Sequence, residues 1–210
     1  NDIDGLGKSY HNLALFYRRE NDYENAKVFF LKAITIFSAQ NNNDDLAKGF
    51  ANYGLLFKAQ QKCDSAVQYF KKAIPCAEKT NNTDVLNIIK LNYGLCLNDL
   101  EKYKEALVFF NDLLKQELEN NGEIYPWLMF GLGNSNIGLK NYNEGIEYLL
   151  RATKLKYKNS EFEHLGQVNL ALAKAYENLN LHNEALIHYK KYKTISDSLY
   201  NRSEEHTSEL

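Results

Sequence analysis

The stretch FANYGLLFKAQQKCDSAVQYFKKA at residues 50–73 contains two apolar stripes with helical spacing. Gly54 and Phe57 are three residues apart in the first stripe, and Ala66 and Phe70 are four apart in the second. Offsets of three and four place side chains on the same face of a helix. A short polar segment separates the stripes. The stretch therefore predicts a helix, a tight turn and an antiparallel helix.

This pattern recurs along the chain in steps of 39 or 40 residues. The first column of small residues is Ala14, Gly54, Gly94, Gly133 and Ala173. The second is Ala26, Ala66, Ala106, Gly145 and Ala185. Four residues later come Phe30, Phe70, Phe110, Leu149 and Tyr189. Small residues allow two helices to approach closely, and large ones fill the space beside the crossing.

The repetition predicts an all-α fold of ten helices in five antiparallel pairs, stacked as a right-handed superhelical solenoid. One pair cannot bury its apolar face alone, so neighbouring pairs must stack. We expect a single solenoid domain over residues 1–201, with repeats at about 4–40, 44–80, 84–120, 124–160 and 161–200. In the polar linkers between repeats, Asp44 and Asp84 are the predicted N-caps of the following helices.

These columns resemble the tetratricopeptide repeat (TPR) family, whose pattern places Leu-Gly-x-x-Tyr before alanine, an aromatic residue and alanine. The resemblance covers residues 4–200. It implies a binding module for proteins or peptides. The family repeat is about 34 residues long, so the longer repeat of this chain predicts extra helical turns in each hairpin.

Composition narrows the class of partner. The chain has 25 basic and 27 acidic side chains, a net charge of -2 that offers no general attraction to nucleic acid. No apolar run is long enough to span a bilayer, so we expect no membrane contact by these residues. We predict no catalytic residues, because the histidines lack metal-ligand spacing and no nucleophile or phosphate-binding motif occurs.

The three cysteines Cys63, Cys76 and Cys96 stand singly in the helical pattern, without Cys-x-x-Cys spacing. We therefore predict free structural thiols, no metal site and no cofactor. Unpaired cysteines favour the cytoplasm slightly over the periplasm, and both compartments remain open.

Two features mark the C-terminal end. The segment Tyr192–Asn201 resembles the end of the repeat array in bacterial sensor histidine kinases and related signalling regulators. Residues 202–210 match the in-frame translation of a common sequencing adapter, and we treat them as a non-native tail. We expect further repeats upstream and an output domain downstream in the natural protein.

The family resemblance implies that the first helix of each pair lines a concave groove. The groove residues carried over in this way are Lys8, His11, Arg18, Lys48, Asn52, Leu55, Lys58, Ile88, Leu91, Asn92, Leu95, Trp127, Phe130 and Asn134, with Ile137, Gln167, Leu170, Lys174 and Glu177 further along. Their order predicts a basic N-terminal end and an apolar, aromatic middle. The alternative for Trp127 and Phe130 is packing between neighbouring repeats.

We therefore expect a protein- or peptide-binding scaffold, the sensory or partner-recruiting module of a larger bacterial signalling protein. The alternatives are a structural or oligomerisation solenoid and a free-standing adaptor without signalling output.

Overall fold

The computed structural model describes residues 2–80, 82–119, 125–155 and 162–208, and these form ten α-helices and no strand. The helices are α1 (Ile3–Arg19), α2 (Tyr23–Ala39), α3 (Asn43–Ala59), α4 (Cys63–Glu78), α5 (Thr83–Asp99), α6 (Tyr103–Glu119), α7 (Pro126–Gly138), α8 (Tyr142–Lys154), α9 (Phe162–Asn178) and α10 (His182–Ser208). The chain divides into two compact units, residues 1–102 and 103–210. The predicted all-α fold of five helical hairpins is confirmed.

Each hairpin turn is closed by the same backbone hydrogen bonds. In the first, the Asn21 N–H donates to the Arg18 carbonyl at 3.2 Å and the Asp22 N–H donates to the Tyr17 carbonyl at 2.9 Å. This pair of bonds is the Schellman motif, which needs a left-handed residue after the helix. The left-handed residues, all non-glycine, are Asn21, Asn41, Gln61, Glu101, Lys140 and Asn180.

The predicted N-caps at Asp44 and Asp84 are wrong by two residues. Asn42 caps α3 by accepting a hydrogen bond from the Asp45 N–H, and Asn82 caps α5 by accepting one from the Val85 N–H, each at 3.2 Å. The left-handed residue Asn41 ends α2, and α3 begins only two residues later. Asn42 is therefore the residue directly before α3. Asp44 and Asp84 lie in the first turns, where the helix dipole still favours a carboxylate.

In the first unit, α1 packs on α2 and α3 on α4. The column residues Ala14, Ala26 and Phe30 are fully buried, together with Tyr53 and Leu56 of the next repeat. At Gly54 an added Cβ would lie 2.8 Å from a ring carbon of Phe70. The predicted close crossing at this glycine is confirmed, because no side chain larger than hydrogen fits there without movement.

In the second unit, α6 packs on α7, α7 on α8 and α9 on α10. A Cβ at Gly133 would lie 2.6 Å from Leu149, so glycine again permits the crossing. The last hairpin departs from the column pattern, since Tyr189 and Tyr192 are only half-buried. Tyr189 is the largest residue in its column, and Tyr192 stands where the earlier repeats have Ala33, Ala73, Leu113 and Ala152. Among the residues that the structure describes, no further repeat covers either tyrosine.

The last helix is longer than expected and continues through Ser208. The expected repeat boundaries at residues 120, 124, 160 and 161, and the last two residues of the tail, lie outside the described residues. Among the helices that the structure describes, none combines the length and apolarity required to cross a membrane.

Candidate protein-interaction surface

In the first unit the predicted groove residues lie on α1, α3 and α5, the first helices of their hairpins. Lys8 and Ile88 are exposed, and the others are half-buried except for Leu95, which is 7% exposed. Leu95 therefore contributes to the core and is not a free contact. Leu55 and Leu91 retain partial exposure.

Three of the four basic groove residues in this unit already have partners: Lys8 and Lys48 form ion pairs, and Lys58 is hydrogen-bonded to Asn92. Lys8 Nζ lies 2.7 Å from Asp4 Oδ2, and Lys48 forms an ion pair with Asp44 on the preceding turn of its own helix. Asn82 Nδ2 donates to the other oxygen of Asp44 at 3.1 Å, which links the second and third repeats. Lys48 and Asn82 together hold the pKa of Asp44 below its ordinary value. The surface is therefore less basic than the lysines alone predict.

His11 and Asn52 connect the first two repeats. Asn52 Nδ2 lies 3.2 Å from His11 Nε2, and the His11 ring packs edge-on against Phe30 with centroids 5.6 Å apart. Burial lowers the pKa of His11, Asp45 raises it, and Lys48 lowers it further. The imidazole is thus held neutral near pH 7, so His11 and Asn52 act in packing between the repeats.

A polar cluster that the sequence did not predict lies where α4 begins and α5 ends. Lys58 Nζ donates to Asn92 Oδ1 at 3.1 Å, and the Cys63 thiol lies 3.3 Å from Asp99 Oδ2. Cys96 is fully buried beside them. Burial raises the pKa of both thiols and lowers the pKa of Lys58. The members come from different helices, so no local spacing could have indicated them.

In the second unit Trp127 and Phe130 surround His164. The Trp127 ring stacks on the buried His164 imidazole with centroids 3.4 Å apart, and Phe130 meets the same ring edge-on at 5.0 Å. Trp127 is half-buried. It therefore packs across α7 and α9, between the fourth and fifth repeats, and this contact agrees with the packing alternative for Trp127.

Phe130 also lines a pocket of about 310 Å³ between α7 and α9, hereafter the α7–α9 pocket. Its lining residues are Phe130, Asn134, Ile137, Gln167, Leu170, Ala171 and Lys174. All of them lie on first helices, and all but Ala171 are at positions that the family resemblance assigned to the groove. A larger pocket of about 490 Å³ lies against α10. One of its polar lining residues, Asn169, already forms a hydrogen bond with His188 at 2.9 Å and is less available to a ligand.

The polar side chains of the α7–α9 pocket differ from those of the first unit. Asn134, Gln167 and Lys174 make no side-chain hydrogen bond or ion pair with any other described residue. Phe130, Ile137 and Leu170 give the pocket its apolar wall. An apolar cavity with a few convergent polar groups is the usual form of a binding site.

Comparisons with known proteins agree with this architecture. Family models described as tetratricopeptide repeat match residues 6–79, 128–159 and 166–198. The structure of BtubC (BKLC) from P. vanneervenii superposes with a TM-score of 0.74 at 18% identity, covering 94% of this chain and 82% of that one. The structure of Pseudomonas aeruginosa pilF superposes with a TM-score of 0.67 at 20% identity, covering 92% of this chain and 78% of that one.

MamA (41-end) from Desulfovibrio magneticus RS-1 also gives a TM-score of 0.67, at 18% identity, covering 94% of this chain and 97% of that one. At these identities the likeness concerns the fold alone. No curated protein sequence matches the chain. The repeat columns, the hairpins and the family matches together show that this chain belongs to the tetratricopeptide repeat family, with the fold of a protein-interaction scaffold.

Proposed function

We propose that the chain binds an extended or helical segment of a partner protein, and that the α7–α9 pocket receives one apolar side chain of that segment. The observation that carries this proposal is the combination in one pocket of an apolar wall with three polar side chains that have no partner among the described residues. In the first unit, by contrast, Lys8, Lys48 and Asn52 already have partners.

The chemistry of the pocket favours a peptide over a small cofactor. Its volume of about 310 Å³ lies at the lower end for ligand sites, which suits a single side chain. Contact with Phe130, Ile137 and Leu170 would remove that side chain from water, at roughly 25 cal/mol per Å² of apolar surface buried. The pocket would therefore supply the main apolar anchor.

The polar groups at the pocket would orient the partner. The Asn134 amide offers both a donor and an acceptor, which matches the two hydrogen-bonding groups of a peptide unit. Lys174 is exposed and would attract a carboxylate on the partner. Exposed ion pairs contribute under about 1 kcal/mol, so Lys174 would mainly raise the association rate at low salt.

The basic side chains of the first unit have a smaller role in this proposal. An acidic partner segment near Lys8 or Lys48 would have to exchange with Asp4 or Asp44, which already pair with them. Lys48→Glu should therefore weaken binding mostly at low ionic strength, where surface charges are least screened.

Selection from a random peptide phage library against the full chain would supply peptide ligands whose sequences are not chosen in advance. Trp127 is the sole tryptophan in the sequence and lies 5.9 Å from Phe130 between ring centroids, so its fluorescence reports on the α7–α9 pocket. Titration of the selected peptides should change this fluorescence.

Phe130→Ala should weaken the selected peptides about 30-fold, the equivalent of 2 kcal/mol for a contact of hot-spot strength. Asn134→Ala should weaken them less. Asn143→Ala, at an exposed position of α8, is the matched control and should leave the affinity unchanged. Unchanged affinity in both Phe130→Ala and Asn134→Ala, with circular dichroism like that of the parent, would refute the assignment.

The larger context of this binding is a second part of the proposal. The resemblance of Tyr192–Asn201 to the array end of bacterial signalling regulators supports a recruiting or sensory role without catalysis. Sequencing the gene beyond Asn201 tests it directly. A kinase or DNA-binding domain would support signalling, and a stop codon at this point would favour a free-standing adaptor.

A further inference from the structure

The cluster where α4 begins and α5 ends has a donor set that no part of the binding function uses. Cys96 and Asp99 are three residues apart on α5, so both project from one face of that helix. Cys63 is the first residue of α4 and faces them. The two sulfur atoms and a carboxylate oxygen of Asp99 all lie within 4.8 Å of one another.

These separations are close to those of a tetrahedral metal site. With Zn–S bonds of about 2.3 Å, the corners of a tetrahedron lie about 3.8 Å apart. Cys63 Sγ is 3.3 Å from Asp99 Oδ2, so small side-chain rotations would bring the three donors to a common centre. Asp99 is exposed, while the residues Cys63 and Cys96 are 8% and 0% exposed, so water could reach a bound ion only from the Asp99 side and would take the fourth position.

We propose that Cys63, Cys96 and Asp99 bind a thiophilic divalent cation such as Zn²⁺ and thereby link the second and third repeats. On binding, each thiol releases its proton to solvent, so Zn²⁺ with two thiolates and one carboxylate carries a net charge of -1. The three donors act to raise the pKa of Lys58 against the larger effect of burial, so its ammonium would offset part of this charge. Burial raises the pKa of the Cys63 thiol, and its place in the first turn of α4 would offset part of this effect once the metal displaces the proton.

The sequence conceals this site because its two cysteines are 33 residues apart and have no zinc-finger spacing. They meet only when α4 packs on α5, which it does in the first unit. A cation that binds the folded chain and not the unfolded one stabilises the fold by mass action. Metal binding should therefore raise the melting temperature of the reduced protein.

Cobalt(II) titration of the full chain, reduced and kept anaerobic, is the direct test. One equivalent should produce a thiolate-to-cobalt charge-transfer band in the near ultraviolet and strong visible bands of tetrahedral cobalt, and Zn²⁺ should abolish both. Cys63→Ser and Cys96→Ser should lose the charge-transfer band. Cys76→Ser is the matched control and should keep it, because the Cys76 thiol bonds to the Lys72 carbonyl at 3.4 Å, apart from the cluster.

Asp99→Asn keeps the proposal falsifiable if a cysteine variant fails to fold, because Asp99 is exposed and its removal leaves the core intact. It should weaken cobalt and zinc binding at least about tenfold. Absence of the charge-transfer band in the parent protein would overturn the site. So would a band that Asp99→Asn leaves unchanged in strength and affinity, or one that disappears in Cys76→Ser.

Discussion

Alanine substitution at two helical glycines should have opposite effects on stability. Alanine is favoured over glycine by about 0.8–1 kcal/mol within a helix, so Gly→Ala stabilises wherever a methyl group fits. At Gly166 in α9 the nearest atom to an added Cβ is 3.4 Å away, which is ordinary contact. Gly166→Ala should therefore stabilise the protein by about 0.5–1 kcal/mol.

At Gly54 the same methyl group would lie 2.8, 3.1 and 3.2 Å from three ring carbons of Phe70. Phe70 is fully buried, so its ring cannot move without displacing other core residues. Overpacking of this kind costs about 1–3 kcal/mol and outweighs the gain in helix propensity. Gly54→Ala should destabilise the protein by about 1 kcal/mol, and Gly54→Leu by about 3 kcal/mol.

Urea unfolding followed by circular dichroism measures both effects, with melting temperature as a second readout. For a chain of this size, 1 kcal/mol corresponds to a shift of about 2–4 °C. The predicted order of stability is Gly166→Ala, parent, Gly54→Ala, Gly54→Leu. A stabilised Gly54→Ala variant would show that Phe70 can give way, and it would refute the close crossing inferred from the repeat columns.

The other predictions concern helix ends and pH. Asn42→Ala should cost about 1 kcal/mol of unfolding free energy by removing the N-cap of α3, whereas Asn43→Ala should change it little; equal losses in urea unfolding would contradict the cap. Glu101→Gly should stabilise by about 0.5–1 kcal/mol because Glu101 has φ 59°, while Lys102→Gly should not, and thermal melts compare the two. Burial lowers the pKa of His188 in the folded protein, so stability should be full above about pH 6.5 and fall as the pH decreases through that value. His188→Gln should reduce this fall in melting temperature at low pH. If the variant keeps the pH profile of the parent protein, His188 is not its cause.

The hairpins were predictable because their signals are local. Gly54 and Phe70 belong to stripes set by the helical period, and their burial follows from the repetition of the same columns. Helix starts were less predictable. Asp44 and Asn42 are both good N-cap residues, and only the left-handed turn at Asn41 places the start of α3 next to Asn42.

For the candidate site, the family resemblance named Phe130, Asn134 and Ile137, and these three residues line the α7–α9 pocket. Their role as a binding site stays a prediction. The stacking of Trp127 on His164 joins residues 37 positions apart, and no helical period relates them. No helical period relates Lys58 to its hydrogen-bond partner Asn92 either, because that contact depends on how closely α3 and α5 approach.

The sequence by itself determined the repeat, the helical hairpins and the positions of the small residues at their crossings, because each depends on spacings of three, four and seven within one helix. Only the tertiary structure decided which polar groups meet. Stacking neighbouring repeats brings Asp44 to Asn82 and Cys63 to Cys96 and Asp99. Those contacts depend on distances between helices, and a periodic pattern does not encode such distances.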